Sequence, residues 1–110
     1  MITQDAFTQS YAALKLAMDA AQELAEKAAT ARRRFTIARD DLLLSNELDG
    51  KNADVREAQV RRKLFPEWNE VELWEAAARN GKTRVETARL DVEAQRAQLR
   101  LMELTAVTAA

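Results

Sequence analysis

The side chains whose type and spacing most suggest chemistry in this sequence are two basic runs, Arg32-Arg33-Arg34 with Arg39, and Arg61-Arg62-Lys63, interleaved with Phe35, Phe65 and Trp68. Cations that neutralise phosphates beside rings that stack bases are what a sequence-tolerant site for single-stranded nucleic acid requires. The same residues admit a plainer reading. Glu67, Glu70, Glu72 and Glu75 share the stretch and can pair with the arginines as solvated surface, and aromatic residues at helical spacing usually belong to a core. A further basic spot, Arg79, Lys82 and Arg84, carries both readings too.

Other chemistries lack their central atoms. With no histidine and no cysteine, the chain has no imidazole base, no thiol nucleophile and no zinc site of the usual kind. Ser10, Tyr11 and Ser45 have no evident activating base. Glu47, Asp49, Asn52 and Asp54 form an oxygen-rich segment, but the spacing does not match a calcium loop and suits helix capping instead. Asp19, Glu23 and Glu26 share a helical face without the Glu-x-x-His pair of a bundle di-metal site. The expectation is a protein with no catalytic residues, cofactor or metal. A net charge of −1 gives the whole molecule little field to steer a polyanion, so nucleic-acid binding would need a local patch. No apolar run approaches the roughly eighteen residues of a membrane span, and the N-terminus lacks the features of a secretory signal. A cytoplasmic protein that does not enter membranes is expected.

The basic runs are 20 to 30 residues apart in sequence, so the elements between them decide whether they meet. Two glycines and one proline in 110 residues argue against strands and turns and for one all-α domain spanning 1–110. A first arm, about 5–47, carries apolar residues in steps of three and four, Phe7, Tyr11, Leu14, Met18, Ala21 and Leu24 among them, continuing through Ala31 and Phe35 to Leu42. A turn at 48–52 uses Gly50, for the left-handed conformation it tolerates, and Asn52 as a cap. The second arm, about 53–105, is kinked or broken near Pro66, which disfavours helical geometry at Phe65 and is placed first in the following helix. Asn80-Gly81, followed by the capping-box spacing Thr83-Arg84-Val85-Glu86, signals a second break. Against it, the three-four alternation runs unbroken from Val71 through Gly81 to Ala106, and continuity is the better reading.

The architecture expected is an elongated, coiled-coil-like antiparallel hairpin. Folding at Gly50 sets Arg33 opposite Glu67 and Arg39 opposite Arg61, which gathers both basic runs near the turn. The seam is rich in alanine, which buries little area, whereas Leu16, Ile37, Leu43, Leu44, Leu73, Leu90, Leu101 and Leu104 lie off the main stripes. Each helix therefore has more apolar circumference than one neighbour covers, and a homo-oligomeric bundle is expected.

The segment Leu48-Asp49-Gly50-Lys51-Asn52-Ala53-Asp54-Val55-Arg56-Glu57-Ala58-Gln59, with the Arg-, Ala- and Glu-rich helix ending Arg96-Ala97-Gln98-Leu99-Arg100-Leu101-Met102-Glu103-Leu104, resembles small helical proteins encoded by bacteriophages. Some of these are similar to recombination mediators. The resemblance, over about half the chain, implies an oligomer that binds single-stranded DNA and assists a RecA-type recombinase in the bacterial host cytoplasm. On that expectation Arg32, Arg33, Arg34, Arg39, Arg61, Arg62 and Lys63 contact phosphates, with Phe65 or Trp68 as the stacking ring. The competing expectation is a protein-interaction module, such as a structural adaptor or a phage inhibitor of a host defence enzyme, working through the second apolar stripe.

Overall fold

The computed structural model describes residues 4–45 and 48–109, the side chains of 108 and 109 excepted. These residues are all-α. Three helices follow in order, α1 (Gln4–Leu44), α2 (Ala53–Lys63) and α3 (Phe65–Ala109). The expected end of the first arm at Asn46 and Glu47 lies outside the described residues. The chain forms two compact units, one from residues 1–22 and 79–110, the other from residues 23–78.

In the 23–78 unit the C-terminal half of α1, the connecting loop, α2 and the start of α3 meet around one cluster. Ala31, Phe35, Val60 and Val71 are its buried residues, with Leu42, Leu48, Leu64, Trp68 and Trp74 packed against them. Val60 and Val71 are fully excluded from solvent. Phe35 lies against Trp68 while Arg32, one turn earlier, reaches Glu75, so α1 and α3 run antiparallel within this unit.

The connection departs from the expected glycine turn. Gly50 does not adopt the left-handed conformation, and what requires glycine there is space: a Cβ would stand 3.0 Å from the Arg56 Cγ, the Arg56 backbone nitrogen and the Gln59 Oε1. Gln59 explains the crowding. Its Oε1 accepts from the Gly50 backbone N–H at 3.0 Å, and its Nε2 donates to the Asp49 carboxylate, which ties the loop to the second turn of α2. Asn52 caps α2 as expected, its Oδ1 accepting from the Val55 N–H at 2.9 Å. Asp54 lies in the first turn of α2, and Arg61, Arg62 and Lys63 in the last, where their charges oppose the negative end of the helix dipole.

The break at Pro66 is real but falls one residue earlier than its sequence suggests. Leu64 leaves helical geometry at φ −105° and ψ 34°. Its N–H closes α2 onto the Val60 carbonyl at 2.8 Å, and its own carbonyl opens α3 by accepting from the Trp68 N–H at 2.9 Å. Phe65 is therefore helical and Pro66 second in α3, a position whose missing N–H costs no helical hydrogen bond. The pre-proline restriction on Phe65 is a preference that closing this turn overrides.

In the other unit, the N-terminal half of α1 packs on α3 from Arg79 onward, and the Ser10 hydroxyl donates to the Asp91 carboxylate at 3.4 Å. The helix passes through Gly81, which is buried, as are Val92 and, in part, Val85, Ala88, Gln95 and Leu99. Continuity through Asn80-Gly81 thus holds. Thr83 does not cap a new helix, because its Oγ1 donates backward to the Arg79 carbonyl at 3.2 Å. α3 runs four residues beyond the expected end, to Ala109.

Replacing Gly50 with alanine is expected to lower stability by roughly 1–3 kcal/mol, read as a lower urea midpoint at unchanged slope. An unaltered midpoint would contradict the packing of Gly50 against Arg56 and Gln59.

Candidate nucleic-acid interface

The structure does bring residues of the two basic runs together, and it shows what holds them. Arg32 makes a forked pair with Glu75: its Nη2 donates to Oε1 at 2.6 Å and to Oε2 at 3.0 Å, and its Nε donates to Oε1 at 3.1 Å. The Arg32 guanidinium also lies over the Trp68 ring at 5.6 Å, and Arg61 of α2 over the same ring at 4.8 Å. Trp68 in turn meets Phe35 with centroids 5.0 Å apart and planes tilted by 54°. One half-buried indole is thus shared by α1, α2 and α3, an arrangement in which cation–π attraction adds to burial.

Arg39 pairs with Glu57 of α2, and its Nε is buried without a hydrogen-bond partner. The expected juxtaposition of Arg39 with Arg61 is therefore displaced by one helical turn of α2, and that of Arg33 with Glu67 shifts toward the pairings of Arg32 with Glu75 and Phe35 with Trp68. The physical reason is the connection. A capped loop and a separate α2 replace the tight symmetric turn at Gly50, and the bend at Leu64 resets the register of α3.

The remaining candidates face outward. Arg33 is exposed and donates to the Thr30 hydroxyl at 3.3 Å; Arg34, Arg62 and Lys63 are exposed. Phe65 is 62 % exposed, whereas Trp68 is committed to the core edge, so of the two proposed stacking rings only Phe65 presents a face to solvent. Acidic residues outnumber basic ones between 23 and 78, which weakens any field toward a phosphate chain. Sequence reasoning anticipated Glu75 as a partner. It missed Glu57, the clamp by Gln59, and Lys27, whose ammonium lies 4.8 Å over the Trp74 ring; only the four-residue spacing of Arg61 and Glu57 on one face of α2 hinted at the first.

No group of three or more potential ligands for a metal ion occurs among the described residues. No helix among them is long and apolar enough to cross a membrane. Two of the surface grooves lie in the unit formed by 1–22 and 79–110. One, about 430 Å³, is lined along α1 by Tyr11, Leu14, Lys15 and Met18 with Thr8 and Ala12; the other, about 560 Å³, lies along α3 from Thr83 to Asp91. Comparison with protein-family models, with characterised proteins and with solved structures finds no match for this chain.

Phe35→Ala is expected to cost about 3–5 kcal/mol by urea denaturation, and Arg32→Ala only about 1–2 kcal/mol, for an exposed ion pair plus a ring contact. Equal losses would contradict the assignment of Phe35 to the core and of Arg32 to its rim.

Proposed function

We propose that this chain is a non-catalytic, homo-oligomeric helical binding protein that acts through protein–protein contact. The observation that carries this reading is the imbalance in the unit formed by 1–22 and 79–110. Of the five buried hydrophobic residues among those described, Val92 alone belongs to it, while Leu16, Leu90, Leu101 and Leu104 are each more than half exposed. All eight apolar side chains that the sequence places off the main stripes are exposed, Ile37, Leu43, Leu44 and Leu73 of the other unit included. Full burial of a leucine is worth about 1.5–3 kcal/mol, of which side chains left this exposed forgo a large part, and contiguous exposed apolar surface marks an interaction face. An adaptor, or an inhibitor that covers a target enzyme, is the functional class this surface suits.

A second reading, a phage-type accessory of DNA recombination or repair that binds single strands and works beside a recombinase, is favoured by one feature. The exposed Phe65 directly follows the basic last turn of α2, which is a ring beside cations. The tie of Arg32 to Glu75 and of Arg39 to Glu57 reduces the cationic surface available to it.

Sedimentation velocity with and without a labelled oligonucleotide, at low and high salt, separates the two. The expected result is a protein oligomer that persists at high salt and forms without nucleic acid, because apolar association is not screened. A monomer that sediments with the oligonucleotide only at low salt would overturn the first reading and support the second.

A further inference from the structure

The outer face of α3 carries a second stripe whose order is not accidental. Leu90, Ala94, Ala97, Leu101 and Leu104 follow one another in steps of four, three, four and three, and all are exposed. Thr87 and Thr83 continue the same spacing toward the N-terminus. Each position from Thr83 to Leu101 lies two residues after a buried or half-buried position of the seam, and Leu104 two after the exposed Met102 that continues its spacing, so the stripe sits about 200° around the helix from the face that α1 covers. None of the charged residues between 79 and 104 falls on either stripe.

The threonines are prepared for dehydration. Thr87 Oγ1 donates to the Thr83 carbonyl at 3.0 Å, as Thr83 Oγ1 does to Arg79. Both hydroxyl protons are thus satisfied within the helix, and covering this face strands neither donor. The groove of about 560 Å³ lies on this stripe, with Thr83, Thr87 and Leu90 in its lining.

A repeat of three and a half residues is what one helix presents to another helix, and the charges beside the stripe say which. Arg79, Glu86, Glu93 and Arg100 form the row preceding it; Arg84 and Asp91, followed by the uncharged Gln98 and Thr105, form the row after it. In a parallel pair of copies the two rows face each other, setting Arg79 against the partner's Arg84 and Glu86 against the partner's Asp91, both repulsive. In an antiparallel pair each row faces itself. With Ala94 opposite the partner's Ala97 and Leu90 opposite the partner's Leu101, Glu93 meets the partner's Arg100, twice by symmetry, and no like charges meet. The antiparallel register centred on Thr87 and Leu90 instead opposes Glu86 to the partner's Glu93 and Arg79 to the partner's Arg100. The register between these two pairs Glu86 with the partner's Arg100, twice by symmetry, but sets Asp91 and Glu93 each against its own copy, so its attractions are offset by repulsions.

We infer that a second copy of this chain docks antiparallel on the outer face of α3, with Leu90 against the partner's Leu101 and Glu93 against the partner's Arg100. The two central alanines let the helices approach closely, and the flanking leucines fill the space beyond them. This proposal rests on the homo-oligomeric reading above and assigns its interface.

Charge exchange tests it in the full-length protein. Glu93→Arg and Arg100→Glu, made singly, each convert two attractions into two repulsions and are expected to weaken self-association by about tenfold or more in sedimentation equilibrium, with helix content by circular dichroism unchanged. The double variant restores opposite charges and should return to within about threefold of the parent. Single variants that associate as the parent does, or a double variant that fails to recover, would overturn the antiparallel α3 interface while leaving an oligomer by another face. A parent that remains monomeric at high micromolar concentration would overturn the interface and the oligomeric reading together.

Discussion

An alanine-rich helix seam buries little apolar area for each residue it orders, and this constraint governs the unit formed by 1–22 and 79–110. Fixing a helical residue costs on the order of 1 kcal/mol in backbone entropy, and burial of Ala88 or Gly81 returns far less than that of a leucine. The leucines that could compensate, Leu90, Leu101 and Leu104, point away from α1. They stabilise the folded chain only when something covers them. A face that is uncharged, regularly spaced and hydrogen-bonded within itself is a surface from which water is readily displaced, and its flanking charges favour one orientation of a copy of the same helix.

The 23–78 unit solves the same problem internally. Here α2 supplies a third helix, and Val60 with Val71 and Phe35 forms a core that excludes water. The cations are placed around this core as its rim. Arg32 and Arg61 meet over Trp68, Arg32 is forked onto Glu75, and the run ending α2 offsets that helix's own dipole. Much of what resembles a phosphate-binding patch in the linear sequence is thereby explained by the local electrostatics of helix ends and ring faces, and the outward remainder, Arg33, Arg34 and Arg62 with Phe65, is a smaller surface than the two runs suggest.

The elements most legible in the sequence were those set by periodicity and by the special backbone residues. The seam from Val71 to Leu99 was readable because an unbroken three-four alternation outweighs one glycine, and the cap at Asn52 because its side chain acts on its own helix. The exposed leucines were readable for the same reason, lying off that period. Register was not. Which residue of α1 meets which residue of α3 depends on the length of the loop, on the Gln59 clamp and on the bend at Leu64, and these arise from contacts between side chains distant in sequence. Helical spacing offers a core reading to Phe35, Phe65 and Trp68 alike; that Trp68 joins the core edge while Phe65 stays exposed, and that Arg39 pairs with Glu57, follow from that register and were illegible for that reason.

Because the chain contains no cysteine, a spin label at a single introduced cysteine reports distances between copies without ambiguity. Labels at Gln98→Cys, beside the stripe and outside its alanine contact, are expected to lie within about 15 Å of one another, and labels at Thr83→Cys about 38 Å apart, since in this register the two labelled positions stand about 25 residues apart along the helix axis at 1.5 Å per residue. Equal short distances at both positions, or no dipolar coupling between copies at either, would contradict it.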